Sequence, residues 1–296
     1  MGTGTPRSPR PAEPGFPAGP RFLDVAGLRL RVSVHGRGRP LVLIMGLGGN
    51  LDMWDPFERA LHGHGVSTVA YDSPGTGDSA DWLWPRRMPG IARLVVRLLD
   101  RLGYDQVDVL GVSLGGAVAQ QLAHSSPGRV RRLVLAATTP GLGGIPGNPS
   151  VMLALASPRR YRSPEYLRRV APDLYGGRMR REPALLAEHT VARLASPPST
   201  AGYFKQLYAV PWWSSLPWLH RLPQPTLVLA GDDDPIVPLV NGRILARRIR
   251  GARLHVVRGG GHLFLLEEAG EMAAVVAGFL AEPGPGRATG GVERRP

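Results

Sequence analysis

The chain has 296 residues, of which 43% are hydrophobic and 20% charged, and this balance is typical of a globular protein rather than a disordered or fibrous one. Its length accommodates a single α/β domain with an inserted subdomain. The sequence contains no cysteine, which excludes disulfide bonds, thiolate metal sites and a cysteine nucleophile.

The net charge is strongly positive, +13 from 36 basic and 23 acidic residues. An excess of this size can mark a surface that binds nucleic acid or anionic lipid. All basic residues except Lys205 are arginine, however, and they are scattered in pairs such as Arg131-Arg132 and Arg159-Arg160. We interpret the charge as a compositional bias spread over solvated faces. We therefore expect no nucleic-acid partner, while an anionic surface stays open as a partner.

The two ends of the chain differ in composition from the rest. Residues 1–21 and 282–296 are rich in Pro, Gly and Arg and lack hydrophobic periodicity, so we predict that they are disordered tails. The first tail has no apolar run of the length that a signal peptide needs, and no later segment reaches the ~18 uncharged apolar residues of a membrane span. We therefore expect a cytoplasmic protein without a transmembrane segment.

Between the tails, strand and helix patterns alternate. Apolar residues alternate with polar ones from Leu28 to Val34 and predict an outer, half-buried strand. Apolar spacings of three and four predict a helix over 88–103, and an apolar-rich segment predicts a closing helix over 264–280. Short apolar runs predict buried strands at 41–45, 66–71, 107–111 and 133–137, and two further strands at 226–230 and 253–257 resume the pattern. The alternation predicts an α/β fold with a mostly parallel central sheet, helices on both faces, and ligands beyond the carboxyl ends of the strands.

One long interval, residues 139–222, breaks this rhythm with many prolines, short helix candidates and a cluster of aromatic side chains. We predict that it is an inserted helical cap or lid above the strand ends, between two parts of the core at 22–138 and 223–281. Its aromatic side chains either wall an apolar substrate pocket or fill the core of the cap itself.

The segment Gly111-Val112-Ser113-Leu114-Gly115 lies where a predicted buried strand becomes a predicted helix. The spacing Gly-x-Ser-x-Gly alone is a weak signal, because glycine occupies 39 positions of this chain. A nucleophile elbow needs this context, since strand and helix approach closely while the serine hydroxyl is held out at the edge of the sheet. We predict that Ser113 is a catalytic nucleophile; the alternative is a glycine-rich turn whose serine caps the helix.

A serine hydroxyl is a weak nucleophile until a base accepts its proton, and the base needs an acid to orient it. Of the eight histidines, His262 lies in a glycine-rich loop between the last predicted strand and the closing helix, and we predict that it is the base. Three aspartates directly follow the predicted strand at 226–230. We choose Asp234, at the far side of that turn, and expect Asp232 and Asp233 to cap the turn or face water.

The oxyanion of an acyl-transfer intermediate needs two N–H donors. The residue after the nucleophile, Leu114, supplies the first at the start of a predicted helix. We predict that Leu47, in the glycine-rich loop after the strand at 41–45, supplies the second. We expect the further loop "YDSPGTGDS" to supply turn geometry rather than chemistry.

The chain order Ser113, Asp234, His262 is that of an α/β-hydrolase fold, and the chain resembles the intracellular depolymerases of medium-chain-length polyhydroxyalkanoates. The similar segments include "GVSLGGAVAQQLAH", "LVLAAT", "ASPRRY", "YGG", "WLH", "PTLVLAGDDDP" and "GHLFL", within residues 22–280. "ASPRRY" and "WLH" are the narrowest of these. The resemblance implies the triad at these three positions, hydrolysis of esters between 3-hydroxyacyl units in stored granules, a granule surface as a partner, and neither cofactor nor metal.

The chain departs from this family at two positions. Relatives commonly have a histidine where Met45 stands and a bulky aromatic residue where Leu114 stands. The second departure leaves open whether polymer or a small hydrophobic ester is preferred.

The sequence thus predicts a serine hydrolase that cleaves carboxylic esters through an acyl-serine intermediate. Two alternatives stay open: a carboxylesterase or lipase that acts on small or glycerol esters, and a non-catalytic granule-surface or binding protein of the same fold. A haloalkane dehalogenase is disfavoured, because that chemistry uses a carboxylate where this chain has Ser113.

Overall fold

The computed structural model describes residues 19–283, and one eight-stranded sheet runs through this part of the chain. The spatial order of its strands is β1-β2-β4-β3-β5-β6-β7-β8. Their bounds are β1 Arg21–Val25, β2 Leu28–His35, β3 Leu41–Ile44, β4 Thr68–Tyr71, β5 Val107–Val112, β6 Val130–Ala136, β7 Thr226–Gly231 and β8 Arg253–Val257. Strands β1, β2 and β4 pair in antiparallel fashion, and all the other neighbours are parallel.

All six of these predicted strands are present in the sheet, as β3 to β8. The predicted outer strand is β2, but the prediction of its place is wrong because it lies second from the edge. The edge strand next to β2 is β1, a half-exposed segment with little apolar pattern, and β8 forms the opposite edge. It is held to β2 by a hairpin whose two turn residues, Ala26 and Gly27, have φ angles of 55° and 79°. Two consecutive left-handed residues match the twist of paired strands.

Helices cover both faces of the sheet. Within the described residues their bounds are α1 Asp55–Gly63, α2 Met88–Leu102, α3 Leu114–Ser125, α4 Pro149–Leu155, α5 Pro164–Tyr175, α6 Gly177–Arg181, α7 Pro183–Ala195, α8 Thr200–Tyr208, α9 Leu239–Arg248, α10 Phe264–Glu267 and α11 Ala269–Ala281. The predicted closing helix is two helices, because Glu268 leaves the helical conformation between α10 and α11. None of these helices is long and apolar enough to cross a membrane.

Successive side chains of β3 contact different helix layers. Val42 and Ile44 pack with residues of α2, α3 and α9, whereas Leu41 and Leu43 pack with α1 and α11 on the opposite face. All four side chains are buried, because successive residues of a strand point to opposite faces and both faces are covered. The predicted class, a mostly parallel sheet between two helical layers, is confirmed.

Helices α4 to α8 all lie between β6 and β7, in the interval where we predict a cap. Helices α4 to α7 contribute to a third apolar cluster that includes Leu167, Leu174 and Met179, and this cluster also contains Ile236 from the loop after β7. The inserted helices therefore pack directly against the edge of the sheet where β7 ends. The cap boundaries 139–222 stay a prediction.

The interpretation of the arginines as a solvated coat is wrong for three of them: Arg132, Arg160 and Arg193 are only 2%, 2% and 4% exposed. Arg132 donates hydrogen bonds to the carbonyl oxygens of Glu282 and Pro283, directly after α11. These two residues and Arg21, which lies in β1, are ordered parts of the predicted tails. The remainder of both tails, residues 1–18 and 284–296, lies outside the described residues.

Candidate active site

Ser113 lies in a strained turn between β5 and α3, with φ 56° and ψ −119°. Such a positive φ is unusual for a residue other than glycine. The flanking glycines explain how the turn fits: a Cβ at Gly111 would lie 2.2 Å from the carbonyl oxygen of Gly115, and one at Gly115 would lie 2.0 Å from that of Ile44. The Ser113 N–H donates to the carbonyl oxygen of Ala136 at 3.0 Å. The local sequence therefore builds the elbow that the pattern predicts.

Asp234 and His262 form a buried hydrogen-bonded pair. Oδ2 of Asp234 lies 2.8 Å from Nδ1 of His262, and the two residues are each 6% exposed. The other carboxylate oxygen, Oδ1, accepts from the backbone N–H groups of Ile236 and Val237 at 2.9 Å. Because an ionised carboxylate only accepts hydrogen bonds, Nδ1 carries the hydrogen in this pair and Nε2 is left as an acceptor.

The two neighbouring aspartates bond to backbone groups outside their own turn, and Asp232 also faces water, as one of the two expected roles requires. Oδ1 of Asp232 accepts from the N–H of Gly259 at 2.6 Å, and Oδ2 of Asp233 accepts from the N–H of Gly177 at 2.8 Å. These bonds tie the loop after β7 to the loop after β8 and to the start of α6. The choice of Asp234 among the three aspartates therefore agrees with the geometry.

The loop that carries His262 is fixed by the inserted helices. The backbone N–H of His262 donates to the carbonyl oxygen of Tyr175, the last residue of α5, at 2.7 Å. A Cβ at the preceding Gly261 would lie 2.3 Å from the same oxygen, so only glycine permits this approach. The position of the imidazole thus depends on contacts between the sheet edge and the insertion.

Ser113 and His262 line one small cavity of about 80 Å³. Asp234 lies behind the imidazole, since its carboxylate is bonded to the nitrogen and its side chain is fully buried. Residues from β5, from the loop after β7 and from the loop after β8 therefore meet at the carboxyl ends of parallel strands, which is where this fold class places its ligands.

The loop after β3 lies beside the elbow. A Cβ built on Gly46 would lie 3.1 Å from the Cβ of Ser113. The adjacent Leu47 lines the small cavity together with Ser113. Leu114 is the first residue of α3, and the N–H groups in the first turn of a helix have no intrahelical partner. Both predicted oxyanion donors therefore belong to segments that border the serine.

Side chains of the insertion hold the Leu47 loop in place, which the sequence did not predict. The Tyr161 hydroxyl donates to the carbonyl oxygen of Leu47 at 2.6 Å. The N–H of the next residue, Gly48, donates to Oε1 of Gln206 at 2.9 Å. Tyr161 ends the segment "ASPRRY", and the resemblance of this segment to the depolymerase family is the sequence feature that could have indicated its role. No sequence feature indicated the role of Gln206.

Ser113 also lines a second, larger cavity of about 660 Å³. Four residues line both cavities: Leu47, Ser113, Leu155 and Ile236. The other side chains of the larger one are mainly apolar and include Met88, Leu114, Ala117, Leu142, Ile145, Met152, Leu207, Val210, Trp212, Trp213 and Val237. Some aromatic residues of the insertion thus wall a pocket, whereas Tyr203 is fully buried among its neighbours.

The loop "YDSPGTGDS" has the geometric role that we expected. Asp72 is completely buried, and its carboxylate accepts from the N–H groups of Leu51 and Asp78. Burial raises the pKa of Asp72, while these bonds and the nearby Arg31 act in the opposite direction. The side chain therefore links two loops. Within residues 19–283, no group of three or more His, Asp or Glu side chains is arranged to hold a metal ion.

The chain matches the family model for the alpha/beta hydrolase fold over residues 39–269. It is 47% identical over 243 residues to a poly(3-hydroxyalkanoate) depolymerase of Ectopseudomonas oleovorans, which covers 82% of this chain and 84% of that protein. It is 32% identical over 279 residues to a 2-hydroxymuconate semialdehyde hydrolase of a Pseudomonas species, covering 88% and 94%. Among solved structures, an enol-lactonase of Burkholderia xenovorans is similar with a TM-score of 0.76 and 27% identity, covering 88% of this chain and 100% of that one. The chain therefore belongs to the alpha/beta hydrolase fold family.

Proposed function

We propose that this protein is a serine hydrolase that depolymerises poly(3-hydroxyalkanoate), with medium-chain-length polymer as its substrate. The observation that carries this proposal is the hydrogen-bonded pair of His262 and Asp234 at the cavity that Ser113 borders, next to a large apolar cavity. The identity of 47% with a poly(3-hydroxyalkanoate) depolymerase supports the choice of substrate.

In the first half of the reaction, Ser113 Oγ attacks the carbonyl carbon of an ester and transfers its proton to Nε2 of His262. Asp234 stabilises the resulting imidazolium through the bond to Nδ1. The tetrahedral intermediate collapses when the bond from carbon to the leaving oxygen breaks, and His262 returns the proton to that oxygen. The products are an alcohol and an acyl group on Ser113.

In the second half, a water molecule attacks the acyl carbon while His262 accepts a proton from it. Collapse of this second intermediate breaks the bond to Ser113 Oγ, which regains its proton from His262, and the acid is released. In both halves the N–H groups of Leu47 and Leu114 stabilise the oxyanion. Loss of one such donor costs about a hundredfold or more in turnover.

The larger cavity suits the alkyl side chains of this substrate. A medium-chain polyester has an alkyl side chain on every 3-hydroxyacyl unit, and burying each methylene of such a chain contributes about 0.8 kcal/mol. The larger cavity presents walls of Leu, Ile, Val and Trp for these chains. Because this substrate is stored in granules, we also propose that the enzyme works at granule surfaces inside the cell.

The test is release of 3-hydroxyoctanoate from poly(3-hydroxyoctanoate) granules by the purified protein, followed beside hydrolysis of p-nitrophenyl esters of graded chain length. We expect the protein to release the monomer and Ser113→Ala to release none above the blank. Hydrolysis of p-nitrophenyl esters without attack on granules would favour a carboxylesterase or lipase. Inactivity on both would favour a non-catalytic protein of this fold.

A further inference from the structure

The small cavity beside Ser113 is lined by two arginines, Arg160 on the "ASPRRY" segment and Arg193 on α7. The same cavity is lined by His262, so both guanidinium groups border the proposed reaction centre. The two residues are only 2% and 4% exposed. None of the proposed catalytic steps uses either of them.

Arg160 is held by neutral groups. Its Nη1 donates to the hydroxyl of Tyr203 at 2.5 Å, and its Nη2 lies 3.5 Å from the carbonyl oxygen of Leu47. The guanidinium lies over the rings of Tyr161 and Tyr203, 4.7 Å and 5.2 Å from their centroids. Its Nε is buried and has no hydrogen-bond partner among the described residues. The cation therefore meets aromatic rings and neutral oxygen atoms rather than a carboxylate.

Arg193 has still fewer polar contacts. Its guanidinium lies over the rings of Tyr161 and Tyr175, 5.1 Å and 4.9 Å from their centroids. Within residues 19–283 it makes neither a side-chain hydrogen bond nor an ion pair, and the buried hydroxyl of Tyr175 also has no hydrogen-bond partner there. The nearby His189 is uncharged at neutral pH, because burial and the charge of Arg193 lower its pKa to about 4.

A buried cation without a carboxylate partner carries a large desolvation penalty. Arg132, the third buried arginine, differs from the other two because it lies 3.9 Å from a carboxylate oxygen of Glu282 and donates to carbonyl groups. The small cavity, of about 80 Å³, is instead lined by Arg160, Arg193 and Tyr175, so two cationic side chains border a space that can hold a ligand. An anion in this cavity would accept hydrogen bonds from the Arg193 guanidinium, which contacts aromatic rings there, and such charge-assisted bonds are among the stronger ones in proteins.

We infer that the small cavity is a carboxylate subsite that binds the free carboxyl end of the polyester chain, on the leaving-group side of the ester. This inference rests on the proposed function, because the chemistry of that substrate supplies the carboxylate. In a poly(3-hydroxyalkanoate), the oxygen of the scissile ester and the carboxyl group of the leaving unit are separated by two carbon atoms. A terminal carboxylate is therefore bound within the same small space as the scissile bond.

This subsite makes the enzyme selective for the chain end. A unit inside the polymer presents a neutral ester at the position where the terminal unit presents a carboxylate. Arg193 and Arg160 favour the terminal unit, so hydrolysis releases single 3-hydroxyalkanoate molecules. Arg160 also supports Leu47 through its carbonyl oxygen, and Arg193 makes no contact of this kind. Arg193 is therefore the position that tests the subsite separately from the geometry of the oxyanion loop.

The experiment compares two substrates with the same scissile ester: the linear dimer of 3-hydroxyoctanoate with a free carboxylate, and the same dimer capped as its neutral dimethylamide. For the wild-type protein we expect kcat/KM to be roughly tenfold to a hundredfold higher for the free acid, as a charge-assisted hydrogen bond implies. Arg193→Gln should reduce this preference by about tenfold, and Arg193→Lys should restore part of it.

A matched control separates the subsite from the overall positive charge. Arg243→Gln removes one exposed arginine on α9, outside both cavities, and should leave the ratio of the two kcat/KM values within about twofold at constant ionic strength. Equal kcat/KM for the two dimers in the wild-type protein, or a preference that survives in Arg193→Gln, would overturn the carboxylate subsite while the depolymerase function stands. Failure of the wild-type protein on granules and on both dimers would overturn the proposed function itself.

A second measurement decides the matter if Arg193→Gln does not fold. It measures how strongly 3-hydroxyoctanoate and its dimethylamide inhibit the hydrolysis of p-nitrophenyl octanoate by the wild-type protein. We expect inhibition by the acid at concentrations about tenfold lower than by the amide. Equal inhibition by the two compounds would overturn the subsite.

Discussion

Oδ2 of Asp234 and Nδ1 of His262 lie 2.8 Å apart, and both side chains are buried. The remaining carboxylate oxygen is bonded to two backbone N–H groups, so the carboxylate is fixed before it orients the ring. This arrangement selects the imidazole tautomer in which Nε2 is free to accept a proton. In the proposed mechanism, the reactivity of Ser113 therefore depends on Asp234, which does not line the small cavity itself.

Asp234→Asn should reduce kcat for p-nitrophenyl octanoate by about a thousandfold to ten-thousandfold at neutral pH. The amide leaves the packing intact but permits the imidazole to adopt the wrong tautomer. The measurement is steady-state kinetics with circular dichroism to check the fold. Asp232→Asn is the matched control, because Asp232 lies in the same loop as Asp234 but bonds to Gly259 in the loop after β8. Similar losses of kcat in both variants would contradict the specific role of Asp234.

Tyr161→Phe tests whether the insertion positions the Leu47 loop. The substitution removes one hydroxyl that donates to the Leu47 carbonyl oxygen at 2.6 Å, a bond of about 1 kcal/mol. We expect kcat to fall about fivefold while KM for a short neutral ester changes by less than about twofold. Tyr166→Phe on α5 is the control, since its ring lies near Arg159 and Arg169 rather than at the loop. A change in KM alone would argue against a role in orienting the oxyanion donor.

Leu207→Trp tests the role of the larger cavity in binding acyl chains. Leu207 lies on α8 and lines that cavity but not the small one. A bulkier side chain should lower kcat/KM for p-nitrophenyl octanoate roughly tenfold relative to p-nitrophenyl butyrate, because the longer chain loses buried contacts. Phe204→Trp places the same indole at a half-exposed position of the same helix and should leave the profile unchanged. Parallel losses for both esters in Leu207→Trp would place the acyl chain elsewhere.

Glu267 should make stability depend on pH. Burial raises the pKa of its carboxyl from 4.5 to about 7, so between these values the folded protein retains a proton that the unfolded chain has lost. The contribution of Glu267 to stability is therefore present at low pH and declines as the pH rises through this window. We expect the free energy of unfolding of Glu267→Gln, relative to that of the wild-type protein, to rise by about 1–3 kcal/mol between pH 5 and pH 8.

Urea denaturation across this pH range measures the effect. Glu271→Gln, which removes an exposed carboxylate from α11, should show no such trend. A constant difference in the free energy of unfolding between Glu267→Gln and the wild-type protein would contradict a raised pKa at Glu267.

The sequence predicted the central strands well because each is a short apolar run that both helix layers bury. It missed β1, whose Arg21 and Asp24 interrupt any apolar pattern and whose pairing comes from the hairpin at Ala26 and Gly27. The continuous apolar pattern at 264–280 hid the break at Glu268, because an apolar run carries no information about a local change in backbone angles.

The predicted positions of Ser113, Asp234 and His262 converge in the structure because each follows a strand whose carboxyl end lies at the same edge. Local motifs were sufficient to select these residues. Arg160 and Arg193 were missed as site residues, since two arginines on separate helical segments have no spacing that distinguishes them from solvated arginines. Their burial depends on the packing of the insertion, which a composition-based interpretation cannot resolve.

The most direct test of the central claim is reaction of the protein with a fluorophosphonate, followed by mass-spectrometric mapping of the adduct and assay of granule hydrolysis. We predict one adduct, on Ser113, loss of granule hydrolysis in proportion to labelling, and no labelling of Ser113→Ala. An adduct at another residue, or a Ser113→Ala protein that hydrolyses granules at the wild-type rate, would contradict the account.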